Sequence, residues 1–277
     1  MAAIDHLAIV TLGADDAREG LLLSEEAHWN QNEADWRFFL TNGTVFGIRD
    51  SDERLIATAA LLPYTSGNAW ISMVLVTAAW RRKGLATKLL DSCLDAAAKR
   101  GLTTWLDATP AGTAVYGPLG FTPTLELRRL RFEGSASKTA TAPKLAPNAS
   151  LDELIARDSN AMGFDRSALL GELSDRPGSQ LVSHGGALAL VRDSRKARHI
   201  GPLFADDTSS ATALVNAITQ SETGPILIDV VNEQHAFLEH LAGSGWSIER
   251  PFQRMRFGHA TTKASKPPFA VAGPEYG

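Results

Sequence analysis

The chain has 277 residues, enough for two ordinary domains, and its 44% hydrophobic and 21% charged residues are typical of a globular protein with a sizeable core. A formal net charge of −4 argues against general nucleic-acid binding, which requires a broad basic surface. The single cysteine, Cys93, excludes an intrachain disulfide and is typical of the cytoplasm, where we expect the protein to act. It shares a helical stripe with Leu85, Leu89 and Ala97 and is expected to pack in the core.

In the N-terminal half, apolar periodicity and turn signals predict a strand, two helices, a three-stranded antiparallel meander, a helix, a strand, a short helix and a strand. The predicted ranges are 7–11, 14–28, 33–40, 44–48, 54–62, 70–77, 81–100, 102–107, 111–117 and 124–132. The uncharged stretch 55–80 is long enough to cross a membrane, but Pro63, Gly67 and Asn68 interrupt it and favour a hairpin turn. We expect no membrane contact, and no signal peptide because the first residues lack a basic leader.

The strongest functional signal is the segment Arg81 to Thr87, RRKGLAT, which opens a helix directly after an apolar strand. Amides in the first turn of a helix lack intrahelical acceptors, and the aligned peptide dipoles add positive charge, so a di- or triphosphate can bind there. Arg82 and Lys83 add further cations, and Gly84 allows close approach to the backbone. The alternative is an ordinary strand–turn–helix with solvated basic residues. The chain contains neither a P-loop nor a G-x-G-x-x-G fingerprint.

The spacing Arg81-x-x-Gly84-x-Ala86 resembles the pyrophosphate-binding motif of the GNAT superfamily, the acyl-coenzyme-A-dependent N-acetyltransferases. Downstream, the Tyr-x-x-x-Gly-Phe pattern that begins at Tyr116 resembles the end of a short helix in that superfamily, and the two motifs occur in the expected order. The predicted order of elements is also similar to the GNAT fold. Thr109 stands where many relatives have asparagine, and its hydroxyl offers fewer hydrogen bonds than an amide.

The C-terminal half repeats this pattern more weakly, with predicted elements at 185–191, 197–204, 208–220, 226–230, 232–241 and 246–257. The segments LDATPAGTAVYGPLGF and IDVVNEQHAFLEHLAGSGW are similar, with Asp229 corresponding to Asp107, which suggests an internal duplication. In place of the cationic loop, the second copy has Asp206 and Asp207, which suit a helix N-cap but would repel a pyrophosphate. The whole chain resembles two-domain GNAT proteins whose C-terminal half is a degenerate copy.

We therefore predict an α/β (α+β) protein of tandem GNAT folds, each with a mixed, mostly antiparallel sheet flanked by helices. Residues 1–134 would form a catalytic domain that binds acetyl-CoA, and residues 135–148 a linker rich in Ala, Ser, Thr and Pro. Residues 149–259 would form the degenerate copy, which either completes the acceptor site or mediates dimerisation. Residues 260–277 are predicted to form a poorly ordered tail.

The resemblance implies acyl transfer from acetyl-CoA as co-substrate. The implied cofactor-binding residues are Val74, Leu75, Val76, Arg81, Arg82, Lys83, Gly84, Leu85, Ala86, Thr87 and Thr109. The loop would hold the pyrophosphate, and residues 74–76 would pair with the pantetheine arm. Tyr116 would protonate the departing thiolate, because a phenol with a pKa near about 10 stays protonated at neutral pH. The alternative for Tyr116 is a packed ring with a satisfied hydroxyl.

The sequence does not identify a general base. By resemblance, residues at the end of the first predicted helix and just after it are candidates for the acceptor site, together with one residue at a strand end. They are Glu25, Glu26, His28, Trp29, Asn30, Asn32, Trp36 and Asp107. The alternatives are solvated surface for the charged residues and core for the tryptophans. We expect no metal, because the spacing of His235 and His240 does not place both on one helix face and HExxH is absent.

The favoured function is N-acetylation of the amine of a small molecule by direct attack within a ternary complex. The alternative is a non-catalytic sensor that binds acyl-CoA or a metabolite, because a fold does not guarantee chemistry. The presence of both the cationic loop and Tyr116 favours the enzyme. We expect a monomer or homodimer with neither nucleic-acid nor membrane partners. The acceptor and the acyl chain length are not encoded in any pattern that we recognise.

Overall fold

The computed structural model describes residues 7–134, 149–259 and 266–277. Its α-helices are α1 Ala17–Glu26, α2 Glu33–Asn42, α3 Leu85–Lys99, α4 Pro110–Tyr116, α5 Leu151–Met162, α6 Ser167–Asp175, α7 Thr208–Ser221 and α8 His235–Gly243. Its strands are β1 Ile9–Thr11, β2 Thr44–Arg49, β3 Leu55–Pro63, β4 Asn68–Val76, β5 Thr103–Ala108, β6 Thr122–Phe132, β7 Gln180–His184, β8 Ala187–Arg192, β9 Arg198–Phe204, β10 Ile226–Val231 and β11 Ser247–Phe257. Within these ranges, no helix has both the length and the apolar character needed to cross a membrane.

The two halves share one order of elements. From α1 to β6, and again from α5 to β11, the chain forms two helices, three strands, a helix, a strand, a helix and a strand. The first predicted helix is shorter than expected, because a 3-10 turn occupies Ala14–Asp16 and α1 ends at Glu26. Strand β7 was not predicted from the sequence. The predicted linker, 135–148, lies outside the described residues.

Helix α3 packs on the sheet through the stripe that its sequence predicts. Leu85, Leu89, Cys93 and Ala97 are all buried in one cluster with residues of β3, β4 and β5. Burial raises the pKa of the Cys93 thiol to about 12, so the thiol stays protonated and packs as a small apolar group. The expected core role of this cysteine is confirmed.

All eleven strands of the described chain form one sheet, in the order β1-β2-β3-β4-β5-β11-β6-β10-β9-β8-β7. Only the pairs β4–β5 and β9–β10 are parallel in this part of the chain. Strand β11 of the second half pairs with β5 of the first, and β6 of the first half pairs with β10 of the second. The halves therefore exchange their last strands, and the predicted boundaries separate sequence repeats rather than two independent sheets.

Each exchanged strand is held by a buried ion pair with the other half. Arg129 on β6 makes two hydrogen bonds to Asp229 on β10, both 2.8 Å long. Arg254 on β11 makes the equivalent pair with Asp107 on β5, at 2.9 Å for both bonds. Burial opposes ionisation of Asp229, but the charge and hydrogen bonds of Arg129 and His199 hold the pKa of this carboxyl below its usual range. The bidentate geometry fixes the register of both exchanged strands.

Residues 266–277 belong to the core, so the prediction of a poorly ordered tail is wrong for them. Phe269 and Val271 are only 2% and 1% exposed. The backbone pairs with β9 and β10: the Phe269 N–H donates to the Leu203 oxygen at 2.9 Å, and the Val271 N–H donates to the Asp229 oxygen at 3.0 Å. The composition indicates disorder, but Phe269, Ala270 and Val271 pack in the second half and their backbone pairs with β9 and β10.

The same segment continues from the second half into the first. The Trp70 indole N–H donates to the Pro274 oxygen at 3.0 Å. The ring of Tyr276 stacks on Phe39 with centroids 5.1 Å apart, and its hydroxyl donates to Asp35 Oδ1 at 2.7 Å. Both ends of the segment are therefore anchored, each in a different half of the sheet.

We predict that Asp229→Asn lowers the free energy of unfolding by about 3–5 kcal/mol, because the substitution leaves the buried Arg129 guanidinium without its counter-charge. Chemical denaturation followed by circular dichroism measures this change. Glu133→Gln, directly after β6, is the matched control, since it removes the exposed partner of Arg131 and should leave the midpoint unchanged. Equal midpoints for Asp229→Asn and the unsubstituted protein would show that the pair does not stabilise the exchange.

Candidate active site

The parallel strands β4 and β5 pair only where they begin. Asn68–Trp70 is in register with Thr103–Trp105, and beyond these residues the strands diverge. The pairing of β4 with β3 shifts register beside Met73, whose φ is 52°, so a β-bulge bends β4 at this point. The divergence leaves the β5 side of β4 without a strand partner at residues 74–76, where a pantetheine arm is expected.

The predicted phosphate loop lies at the start of α3, just after β4. Gly84 is the N-cap residue with φ of 86°, a left-handed conformation that glycine adopts without strain. No side chain caps this helix end, and the backbone N–H groups of residues 84–87 have no backbone acceptor in the described part of the chain. Arg81, Arg82 and Lys83 are exposed beside them. The loop is therefore a cationic helix start with available donors, as phosphate binding requires.

The other residues of the loop differ in exposure. Leu85 is 1% exposed, so only its backbone is available to a ligand. Ala86 and Thr87 are half-buried. Arg81 Nε donates to the Val76 oxygen at 3.0 Å, which ties the loop to the end of β4. This contact keeps the Arg81 guanidinium next to the unpaired end of β4.

Helix α4 carries Tyr116 and begins at Thr109. The Thr109 hydroxyl accepts a hydrogen bond from the Gly112 N–H at 3.2 Å, so it serves as the N-cap of α4. Tyr116 is half-buried, and its ring lies 5.9 Å from that of Phe121. Burial raises the pKa of Tyr116 to about 12, and the nearby Cys93 adds to this effect. The Tyr116 hydroxyl has no hydrogen-bond partner among the described residues, so it is available to a ligand.

A cleft of about 660 Å³, including its open mouth, lies between the diverging strands. Both halves of the chain and the segment 266–277 contribute to its walls. The lining residues most relevant to chemistry are Trp29, Val74, Asp107, Thr109, Tyr116, Arg129, Arg250, Phe252 and Glu275. The cleft therefore brings the predicted acid, Tyr116, together with charged residues of the exchanged strands.

The structure separates the predicted acceptor residues into two groups. Trp29 and Asp107 line the cleft, although the Asp107 carboxylate is held by Arg254. Glu25 and His28 are exposed and are not among the lining residues. Glu26 is also outside the cleft wall, and its carboxylate accepts a hydrogen bond from the backbone after β4.

Three further candidates have structural contacts instead. Trp36 is fully buried in the core and its indole N–H donates to Ser24 Oγ at 3.0 Å, so the expectation that it contacts an acceptor is wrong. Asn30 binds the Ala197 backbone with its side-chain amide and oxygen, which links the α1–α2 loop to the second half. Asn32 caps α2 by accepting from the Asp35 N–H. The Asn30 contact joins residues that are distant in sequence, whereas Ser24 and Asp35 lie near Trp36 and Asn32 along the chain.

Arg250, Phe252 and Glu275 line the cleft but are not among the residues predicted from the sequence. A signal existed for β11: the run from Arg254, RMRF, repeats the run from Arg129, RLRF, and so marks corresponding strands of the two copies. It does not show that the strands are exchanged. No comparable signal marks Glu275, because its neighbours Gly273 and Pro274 are typical of a loop.

The second half contains an equivalent divergence, which the chain itself fills. Residues 198–200 of β9 pair with residues 226–228 of β10, and the two strands then diverge, as β4 and β5 do after their first residues. The backbone of residues 269–271 lies between them beyond that point. At the start of α7, the side chain of Asp207 accepts from the Ser210 N–H at 2.8 Å. At this position, the described residues of the second copy therefore fill the space between the strands and cap the helix start.

No three His, Cys, Asp or Glu side chains lie together as metal ligands would within residues 7–134, 149–259 and 266–277. The buried His199 bonds to Asp229 at 2.9 Å, and burial, followed by the charge of Arg192, lowers its pKa to about 4. It is therefore neutral at physiological pH and belongs to the ion-pair network of the exchanged strands.

Both halves of the chain match acetyltransferase family models. Residues 14–121 match the acetyltransferase (GNAT) family, and residues 154–269 match an acetyltransferase (GNAT) domain. No protein of curated function matches the chain significantly.

Solved structures share the whole architecture. A putative acetyltransferase from Pyrococcus horikoshii is 19% identical with a TM-score of 0.80, and the match covers 100% of this chain and 98% of that one. A GCN5-related N-acetyltransferase from Sphaerobacter thermophilus is 13% identical with a TM-score of 0.65, over 94% and 99% of the two chains. A tandem GNAT protein from the clavulanic acid biosynthesis pathway is 14% identical with a TM-score of 0.65, over 92% and 100%. At these identities the likeness concerns the fold alone.

The diverging parallel strands of each copy and the two family matches define an acetyltransferase fold present twice in one chain. The uncapped cationic helix start belongs to the first copy. The chain belongs to the GNAT superfamily, and its two matched regions make it a tandem GNAT protein. The prediction of tandem GNAT folds is confirmed.

We predict that Phe269→Ala lowers the free energy of unfolding by about 3–5 kcal/mol, because it leaves a cavity beside Phe237 in the core of the second half. Urea denaturation measures the effect. Leu22→Ala is the control, since Leu22 is 57% exposed and its truncation should change stability little. A Phe269→Ala protein as stable as the control would contradict the burial of this segment.

Proposed function

We propose that the protein is an acetyl-CoA-dependent N-acetyltransferase that acetylates the amine of a small molecule by direct attack within a ternary complex. One observation carries the proposal: Tyr116, with an available hydroxyl, lines the cleft that opens between β4 and β5, and β4 is followed by the uncapped, cationic start of α3. The membership of both halves in an acetyltransferase superfamily supports the same reaction class.

The proposed binding site for acetyl-CoA follows from the donors that the fold leaves available. The N–H groups of residues 84–87, with Arg81, Arg82 and Lys83, would hold the pyrophosphate. The unpaired edge of residues 74–76 would pair with the pantetheine amides as an added strand does. When bound, acetyl-CoA supplies the acetyl thioester. Thr109 lies at the beginning of the neighbouring α4, where its backbone rather than its capping hydroxyl would meet the cofactor.

Tyr116 would act as the general acid. In the overall reaction the amine nitrogen gains the acetyl group and loses a proton, the carbon–sulfur bond breaks, and the sulfur gains a proton. With its pKa raised to about 12, the phenol is the protonated form throughout the neutral range and can give its proton to the sulfur. Residues of the exchanged strand β11 and Glu275 of the segment 266–277 line the same cleft, which supports an acceptor-site role for the second half.

Gly84→Glu is expected to weaken coenzyme A binding by at least about 100-fold, because it adds a carboxylate at the phosphate-binding donors and a Cβ at a left-handed φ. Isothermal titration calorimetry measures the affinity. Gly101→Glu is a matched control at the other end of α3, since Gly101 also has a positive φ of 65° and open space around it. It should bind normally. Equal affinities of the two variants for coenzyme A would show that the pyrophosphate does not bind at the start of α3.

Tyr116→Phe is expected to bind coenzyme A with unchanged affinity but to turn over about 10²- to 10⁴-fold more slowly, because only the proton donor is lost. A thiol-release assay with acetyl-CoA and a panel of amines measures turnover. Full activity of this variant would exclude Tyr116 from the mechanism. If the unsubstituted protein binds acetyl-CoA tightly and acetylates no amine, the sensor hypothesis replaces the enzyme.

A further inference from the structure

Charged side chains of both signs lie in the part of the cleft formed by the exchanged strands and the segment 266–277. They are Arg129, Arg250 and Glu275. The charge of Arg129 is already neutralised by its two hydrogen bonds to Asp229. The other two charges are much less satisfied by the protein, so they are the groups that can recognise an acceptor.

Arg250 lacks a carboxylate partner at hydrogen-bond distance in the described chain. Its nearest carboxylate is that of Glu249, where the Nε to Oε1 distance is 3.9 Å. The Nε atom is buried and makes no hydrogen bond, while the side chain as a whole is 30% exposed. The guanidinium lies over the ring of Phe252, 5.2 Å from its centroid, which restricts its orientation. A guanidinium with unused donors, held in a cleft, fits a carboxylate in bidentate geometry.

Glu275 is the complementary charge. Its side chain is buried to all but 9%, and its contact with a cation is a long one, 3.4 Å from Arg192 Nη2 to Oε1. Apart from this contact and a hydrogen bond from its own backbone N–H, the carboxylate keeps acceptor sites for a ligand. The backbone on either side is fixed, because the Pro274 oxygen accepts from Trp70 and the Tyr276 hydroxyl donates to Asp35. The carboxylate is thus presented to the cleft by a rigid segment.

We propose that the acceptor is an amine that also carries a carboxylate, as an α-amino acid does, with Arg250 binding the carboxylate and Glu275 binding the ammonium. The bound ammonium releases one proton to solvent, and the neutral amine then attacks the thioester in the reaction written above. The proposal rests on the proposed function and specifies its substrate class. The cleft that contains Tyr116 also contains charges of opposite sign, which match the two ends of a zwitterion. Phe252 adds an apolar surface to the same cleft. A polyamine would instead bring a second cation towards Arg250 and Arg129, which disfavours it.

The test compares matched acceptors in the thiol-release assay: leucine, leucinamide and isoamylamine, each with acetyl-CoA. We expect kcat/KM for leucine to exceed that for the other two by at least about 100-fold, since a site built for a polar group rejects analogues that lack it. Arg250→Met keeps the length and the contact with Phe252 but removes the charge. It should raise KM for leucine and bring the three kcat/KM values within about tenfold of one another.

Arg256→Met is the matched control, because Arg256 lies on the same strand, over Trp105, and outside the cleft wall. It should preserve the preference for leucine. Glu275→Gln should raise KM for all three amines, since all three carry the ammonium. The circular dichroism spectrum and the affinity for coenzyme A are measured for each variant. If both are unchanged, neither misfolding nor loss of the coenzyme A site explains a change in KM or kcat/KM.

Binding of leucine is measured separately by calorimetry on the protein saturated with coenzyme A. Turnover of isoamylamine and leucinamide as efficient as that of leucine would overturn the inference and leave the acetyltransferase function intact. Leucine binding that depends on Arg250 without any thiol release would support the inference and overturn the function. Leucine binding that is equal in Arg250→Met and Arg256→Met would also overturn the inference.

Discussion

The structure depends on the exchange of the last strands between the two copies of the fold. In the exchanged arrangement β11 completes the sheet of the first half and β6 completes that of the second, so neither half has all its strands without the other. Two buried arginine–aspartate pairs hold the arrangement, each joining an exchanged strand to the strand beside it. Breaking either pair would leave a buried charge alone, which makes the register of the exchanged strands strongly specified.

The exchange also determines what surrounds the cleft. Because β11 lies next to β5, its residues Arg250 and Phe252 reach a cleft that belongs to the first half. The same neighbourhood allows the segment 266–277 to cross from the second half and place Glu275 there. In the proposed reaction, the first copy supplies the coenzyme site and the acid, while the second supplies the residues that meet the acceptor.

The two copies show how one backbone plan supports different uses. Each has a pair of parallel strands that diverge after their first residues. In the first copy, the unpaired edge remains available and the following helix begins with Gly84 and no side-chain cap. In the second copy, residues 269–271 satisfy the equivalent edge, and Asp207 satisfies the equivalent helix start. Backbone groups need partners in both cases, and the second copy finds them within its own chain.

The sequence by itself determined most of the local elements and their order along the chain, the cationic loop at Arg81 to Gly84 and the position of Tyr116, because these follow from periodicity, turn chemistry and short motifs. It also indicated the duplication through Asp107 and Asp229. Only the tertiary structure decided that the last strands are exchanged, that Trp36 is core, and that Glu275 lies in the cleft. The exchange and the place of Glu275 depend on contacts between residues 100 or more positions apart, and pairing of this kind leaves no local pattern in the side chains. The burial of Trp36 depends on how α2 packs against α1, where its indole meets Ser24.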